Sequence, residues 1–487
     1  MKKKRNNSLA VAVSMLAVLS FGVSPVQSQV PGPVLDTEIV DSVKRRIMLD
    51  PGVNSGVLIV SDNGVVTLSG TVSSLGERRR AAEITSNKYG VTAVINNLNV
   101  SPTNVADSIL LERLNTALIN DIVTRDIDPA VSVVDGKVIV SGEVPSLAER
   151  NIIEKILFNI AGVREVENRI VVTVPDRVED EALENRIEAR LRSDVLVDSS
   201  LVNVSVTSGI VTLSGSVPSL RERDRAVALC YLPGVANIDY GDLRIVYLPE
   251  PETVVIPDAT PLSDAEIKAV ISESISYNPR VSSANIGVTV DNGVVSLSGK
   301  VATIRARHEA QEATLGTVGV VDVINQIVVS PNGSLTDADI AAAIDQALLL
   351  DPYTESVDIG ATVVGGNVTL TGKAETPYER TRAAQIASGI VGVTAVENTI
   401  VVTVGNGPAP DALPSADEGT VSDIDLMTRQ AIESELRYVP GNVAVKVENG
   451  IVLLQGTVNS YYTRKRVENI AFFEGAKQVI NNLEVSR

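Results

Sequence analysis

The stretch "VVTLSGTV" (65–72) returns five times, as "KVIVSGEV" from 137, "IVTLSGSV" from 210, "VVSLSGKV" from 294, "NVTLTGKA" from 367 and "IVLLQGTV" from 451. Self-similarity at a near-constant period constrains a fold strongly, because every copy must be the same supersecondary unit. The repeated glycines are Gly70, Gly142, Gly215, Gly299, Gly372 and Gly456, in steps of 72, 73, 84, 73 and 84 residues. The two long steps coincide with Pro-rich acidic segments, 249–262 and 405–421, which read as extended linkers. The expected units are 36–101, 104–174, 176–248, 263–330, 334–404 and 422–487.

Each unit repeats one order of patterns. A helical stretch opens it, such as "DEALENRIEARL" with Leu183, Ile187 and Leu191 at i, i+4 and i+8. A strand alternating in twos follows, as with Ile286, Val288 and Val290. Then comes "DNG" (62 and 291), "ENG" (448) or "DG" (135), residues that accept the positive φ of a two-residue hairpin loop. The glycine strand is the second arm of that hairpin. Four residues past each glycine stands a helix N-cap candidate: Ser74, Ser146, Ser219, Thr303, Thr376 and Ser460. Glu77, Glu149, Glu222 and Glu379 stand three positions further on, as capping boxes require, and Pro377 fits the first helical position. Gly90, Gly162, Gly234, Gly319, Gly392 and Gly475 are placed to end this second helix, and a last strand such as "VTAVENTIVVTV" (393–404) follows. A right-handed crossover makes the second and third strands parallel. The expected fold is α+β: six tandem αββαβ domains, each a three-stranded mixed sheet with two helices on one face. Units so small have marginal cores of their own, so neighbours gain by packing together, although the linkers argue against one continuous stack.

The "V-x-L-S-G-x-V" strand, the "[ST]-x-x-E-R" helix start and the "G-V-x-x-V-x-N" entry to the last strand resemble the BON family of bacterial osmotically inducible periplasmic and nodulation-associated proteins. The resemblance implies association with phospholipid or membrane and a part in envelope stress. Two copies depart from the pattern. The third has Tyr240 where the others have Asn96, Asn168, Asn325, Asn398 and Asn481, with an apparent one-residue insertion, and the sixth has Thr463 in place of the capping Glu. The repeated glycine reads as architecture, ending a strand beneath a helix where a Cβ would clash or φ would be wrong. A phosphate cradle needs several glycines leading straight into a helix, and only one is present.

The N-terminus reads as an export signal, residues 1–28: "MKKKR", an apolar run from Ser8 to Val23, and small Val26 and Ser28 before a cleavage site at Gln29. With Cys230 the only cysteine, neither a lipobox nor an intrachain disulfide is expected, and no later stretch is apolar enough for a transmembrane helix. The expected location is periplasmic. The net charge of −18 disfavours nucleic acid and, on average, anionic lipid. That charge is uneven: 331–404 holds three basic against nine acidic residues, whereas 36–101 has seven of each and 422–487 eight of each.

Little points to catalysis. His308 stands alone among polar residues, and Cys230 lies among Ala228, Leu229 and Leu232 as a small core residue, so no catalytic residue, metal site or cofactor is expected. An arginine recurs four positions after every cap, at 78, 150, 223, 307, 380 and 464. It either braces the sheet edge or holds a lipid phosphate, and its persistence in acidic copies favours bracing. The candidate lipid contacts are the basic clusters of the end units, Lys44, Arg45, Arg46, Arg78, Arg79, Arg80, Arg464, Lys465 and Arg466, with Tyr461 and Tyr462 as interfacial aromatics beside Phe472 and Phe473. The leading expectation is a non-enzymatic envelope protein docking on anionic phospholipid through its end units. The rival is a multivalent scaffold or chaperone that binds other envelope proteins.

Overall fold

The first helix of each unit buries one residue per turn. In Asp180–Arg192 these are Leu183, Ile187 and Leu191, and in Asp264–Ser276 they are Ile267, Ile271 and Ile275. Each such side chain contributes roughly 1.5–3 kcal/mol on leaving water. A computed structural model describes residues 26–27, 34–50, 52–53, 56–174, 178–246, 262–281, 285–330, 335–355, 357–403, 421–436, 439–476 and 478–486. The proposed signal other than 26–27, and nearly all of both linkers, lie outside the described residues.

The sheets have the expected topology. Val65–Val72 runs antiparallel to Leu58–Asp62 and parallel to Ala93–Val100, and the other five units repeat this order. In the sixth, Val26–Gln27 adds a short antiparallel strand beside Val443 and Asn442. Positive φ at Asn63 (51°) and Gly64 (78°) turns the first hairpin, and every other unit has an equivalent pair. Alternation along the middle strand sends Val66, Leu68 and Val72 beneath the helices and leaves Val65, Thr67 and Ser69 on the opposite face.

The repeated glycine does not end its strand, which runs two residues further to Val72, and its close neighbour is the backbone at or just before the first arm of the hairpin rather than one of the two covering helices. At Gly70 φ is +124°, and a Cβ would lie 2.5 Å from the carbonyl oxygen of Gly56, just before the first arm of the hairpin. Leu201, Asn285, Asp358 and Asn442 place their carbonyl oxygens even closer to Gly215, Gly299, Gly372 and Gly456. Gly142 is roomier, with Pro129 Cα at 3.6 Å.

The six Ser and Thr residues all cap their helices, but only Thr376–Glu379 among the second helices forms a full capping box. Glu77 bonds instead to Ser73, one residue upstream, and two boxes open first helices at Ser263–Glu266 and Thr336–Asp339. The later glycines have positive φ; Gly475 stands at the expected place just after its helix's C-cap Glu474, whereas Gly90 lies further on, after a helix that stops at Ser86.

One side-chain clamp holds every unit together, and a second is present in five of the six. An aspartate in the first helix accepts from both turn amides, as Asp36 does from Asn63 (2.8 Å) and Gly64 (3.0 Å). Asp107, Asp180, Asp264, Asp337 and Asp425 do the same. The repeated asparagine ties the last strand to the second helix: Asn96 Nδ2 donates to the Arg78 carbonyl (2.8 Å), and its Oδ1 accepts from Leu98 N (3.3 Å). The third unit replaces this clamp with a register shift between Asp239 and Asp242, and Arg223 lies over the Tyr240 ring at 5.6 Å.

The first three units pack into a closed ring, and the last three are linked in the same manner from the sixth to the fourth and from the fourth to the fifth. The first residue of each second helix inserts into a neighbouring core: Leu75 of the first unit into the second, Leu147 of the second into the third, and Leu220 of the third into the first. In the second half Ile304 of the fourth unit packs on the fifth core, and Tyr461 of the sixth enters the fourth. The corresponding residue of the fifth is Pro377, whose side chain is outside the described residues. The two halves face each other through pairs of units: the first meets the fifth and sixth, the second the fourth and fifth, the third the fourth and sixth.

Candidate interaction surfaces

The second helices lie at the junctions between units, so their charged residues are already engaged. Arg78 donates to the Asn96 carbonyl at 3.1 Å, and Arg79 pairs with Glu83 at 2.7 Å. Arg80 grips Asp50 at 2.6 Å and lies 4.9 Å from the Tyr378 ring of the fifth unit. Arg46 completes that group, 3.4 Å from Asp50. Arg225–Asp194 and Arg382–Asp351 repeat the Arg80–Asp50 bridge in the third and fifth units.

The basic, aromatic helix of the sixth unit is not an exposed interfacial helix. Tyr461 is 4% exposed, in the fourth unit's core, and its amide donates to Val320 O at 3.3 Å. Arg221 of the third unit lies over the Tyr462 ring at 5.2 Å. Arg464 stands 4.0 Å from Asp322 of the fourth unit, and Lys465 pairs with Glu468 at 3.2 Å. Position 461 is the inserting position of the repeat, so its ring fills a socket between units and is not free for lipid. Phe472, at 46%, is exposed at the helix end, and the Phe473 side chain lies outside the described residues.

Buried charge collects where these units meet. Burial pushes the Glu222 carboxyl up to about 7, against the pull of the Ser219 hydroxyl and the Arg221 and Arg466 guanidiniums. Burial, with Arg466 beside it, draws Arg221 down to about 9, which leaves it a cation at neutral pH. Between the first and sixth units, Glu435 accepts from Lys88 (2.8 Å) and Ser42 (3.1 Å). Burial raises the pKa of nearby Glu474, with Glu435 adding to the effect and Lys88, Arg45 and Arg46 opposing it. The two neutral end units, furthest apart in sequence, are therefore in contact. Lys44, Arg45 and Met48 remain exposed there on the first helix.

Exposed apolar side chains also line the helix-free face of each sheet, which was not singled out from the sequence. Leu58 (67%), Val60 and Ile95 lie on that of the first unit, in register with Thr67 and Ser69 of the middle strand. Ile324 and Val328 are exposed in the fourth, Val364 (76%) and Val401 in the fifth, and Ile451 and Ile480 in the sixth. The signal was the half of each strand alternation that the helices leave uncovered.

His308 is an exposed side chain 3.5 Å from Glu312. The Cys230 thiol is buried, donates to Ala226 O at 3.3 Å, and is pushed by burial up to about 12. Among the described residues no cluster of His, Cys, Asp or Glu could hold a metal ion, and no helix is long and apolar enough to cross a membrane.

The BON domain pattern matches residues 35–102, 106–174, 179–247, 263–331, 336–404 and 421–487. The chain belongs to the BON domain family. Its BON units are 31% identical over 157 residues to osmotically-inducible protein Y of Escherichia coli K12, covering 31% of this chain and 73% of that one. They are 29% identical over 140 residues to a 21 kDa hemolysin of Actinobacillus pleuropneumoniae, covering 27% and 72%. The C-terminal domain of CdsD, a structural protein of the type III secretion system of Chlamydia trachomatis, is 15% identical, with a TM-score of 0.12, over 44% of this chain and all of that one.

Proposed function

We propose that this BON protein is a non-catalytic, exported envelope-stress protein that binds other proteins polyvalently through its helix-free sheet faces. The observation that carries this is the set of aliphatic residues, such as Leu58, Val60 and Val364, that stand exposed on the helix-free sheet faces, while the second helices lie at the junctions between units. Several weak faces on one particle raise avidity without any single strong site. The likeness to an osmotically inducible protein supports the stress setting.

A second reading, docking on anionic phospholipid, is favoured by exposed Lys44, Arg45, Met48 and Phe472 at the junction of the first and sixth units. The likeness to a protein named a hemolysin agrees with it. Co-sedimentation with anionic and neutral vesicles at low and high salt separates the two. Protein binding predicts no salt-sensitive sedimentation, together with slower aggregation of an unfolded client protein, weakened by Leu58→Ser with Val60→Ser. Sedimentation with anionic vesicles alone, abolished by Lys44→Glu with Arg45→Glu, would establish the lipid reading instead.

A further inference from the structure

The first three units form a ring, and described residues of the two halves of the chain meet directly at several points. Val195 N donates to Gly316 O at 2.9 Å, and Val318 N donates to Ser193 O at 2.8 Å, joining the third unit to the fourth. Ala161 N donates to Leu350 O at 3.0 Å, and Arg113 stands 3.5 Å from Glu355, joining the second to the fifth. Arg280 and Asp121 pair at 2.9 Å between the fourth and second units, both side chains largely buried. Lys88–Glu435 joins the first to the sixth.

The same structural positions are used from both sides. In the third–fourth contact the first half supplies the exit of a first helix and the second half the exit of a second helix. In the second–fifth and first–sixth contacts those roles are reversed. The second–fourth contact, Asp121 with Arg280, sets first-helix exit against first-helix exit. A face that offers both elements of a reciprocal contact is self-complementary, as in an isologous dimer.

We propose that the face through which each half meets the other is a general docking surface for another three-unit BON half, and that two copies of this chain exchange halves across it. The occupant is thus a second copy of the chain. A covalent connection only raises the local concentration of the two halves, and cutting it leaves their contacts intact.

The test uses the full chain with a protease site placed in linker 249–262 and cut after purification. The halves are expected to co-elute in gel filtration at micromolar concentration; separate elution would overturn the proposal. Two cut preparations are then mixed, one with an affinity tag on its first half and the other with a fluorophore on its second. Capture of the tag is expected to bring the fluorophore with it within a day in dilute urea. Co-eluting halves that never mix would also overturn it. Lys88→Glu with Asp121→Arg on the tagged half should lower the captured fluorescence about tenfold, the effect of about 1.4 kcal/mol. Undiminished capture, with the circular dichroism of that half unchanged, would exclude this surface.

Discussion

Tyr461 begins the second helix of the sixth BON unit, yet its side chain belongs to the core of the fourth, where its amide bonds the carbonyl of Val320 at 3.3 Å. Leu75, Leu147 and Leu220 fill the equivalent sockets elsewhere, so the socket accepts either an aliphatic or an aromatic side chain. Tyr461→Ala is expected to cost about 3 kcal/mol, and Tyr461→Leu under about 1.5 kcal/mol. Urea denaturation reads both, and hydrogen exchange at Val320 and its neighbours should accelerate in the alanine variant alone.

The aspartate clamp can be tested at Asp337, which accepts from Gly365 N (2.8 Å) and Gly366 N (3.0 Å). Asp337→Ala leaves two turn amides to water and is expected to cost about 1–2 kcal/mol, with Asp337→Asn losing less. Exchange rates of those two amides provide a local check. A loss spread evenly over the whole chain, with turn protection unchanged, would contradict the clamp.

Gly372 and Gly142 occupy the same place in the repeat but differ in room. A Cβ at Gly372 would meet the Asp358 carbonyl, whereas at Gly142 nothing lies nearer than 3.6 Å. Both have positive φ, so both alanine variants are strained. Gly372→Ala is expected to cost about 3 kcal/mol or more and Gly142→Ala about 1–2 kcal/mol. Equal losses in thermal denaturation would show that φ alone decides.

Glu222 carries a pH signature. Its carboxyl is raised to about 7 by burial, so the folded protein holds that proton more tightly than the unfolded chain. Its contribution is favourable below about pH 4.5 and is lost as pH rises toward 7. Glu222→Gln should therefore gain on the wild type between pH 5 and pH 8, by about 1–2 kcal/mol after allowance for partial exposure. The difference in urea midpoints between the two proteins, followed over that range, isolates this group from the other acids.

The architecture of one unit was legible because its signals are local. The Asn-Gly turn, Ser74 before its helix, and the spacing of Leu183, Ile187 and Leu191 each act within a few residues. The Asp36 clamp was missed because its partners lie 27 and 28 positions away and nothing nearby marks the carboxylate as an acceptor. Tyr461 was misread for a related reason. At a helix start an aromatic beside Arg464, Lys465 and Arg466 suits an interface, and only its match with Leu75, Leu147 and Leu220 in the repeat register marks it as a plug for another unit. The meeting of Lys88 with Glu435 follows from how the halves pack, not from any property of either residue.

Leu220 also sets a timetable. A chain that emerges N-terminus first can form the secondary structure of its first unit early, but that unit's core lacks a side chain until residue 220 has arrived. The fourth unit waits in the same way for Tyr461. Synthesis therefore does not deliver six finished units one after another. The protein matures in steps, as the third, fifth and sixth units bring Leu220, Leu350 and Tyr461 to earlier cores, and a nascent chain halted between them exposes sockets that its own later residues are meant to fill.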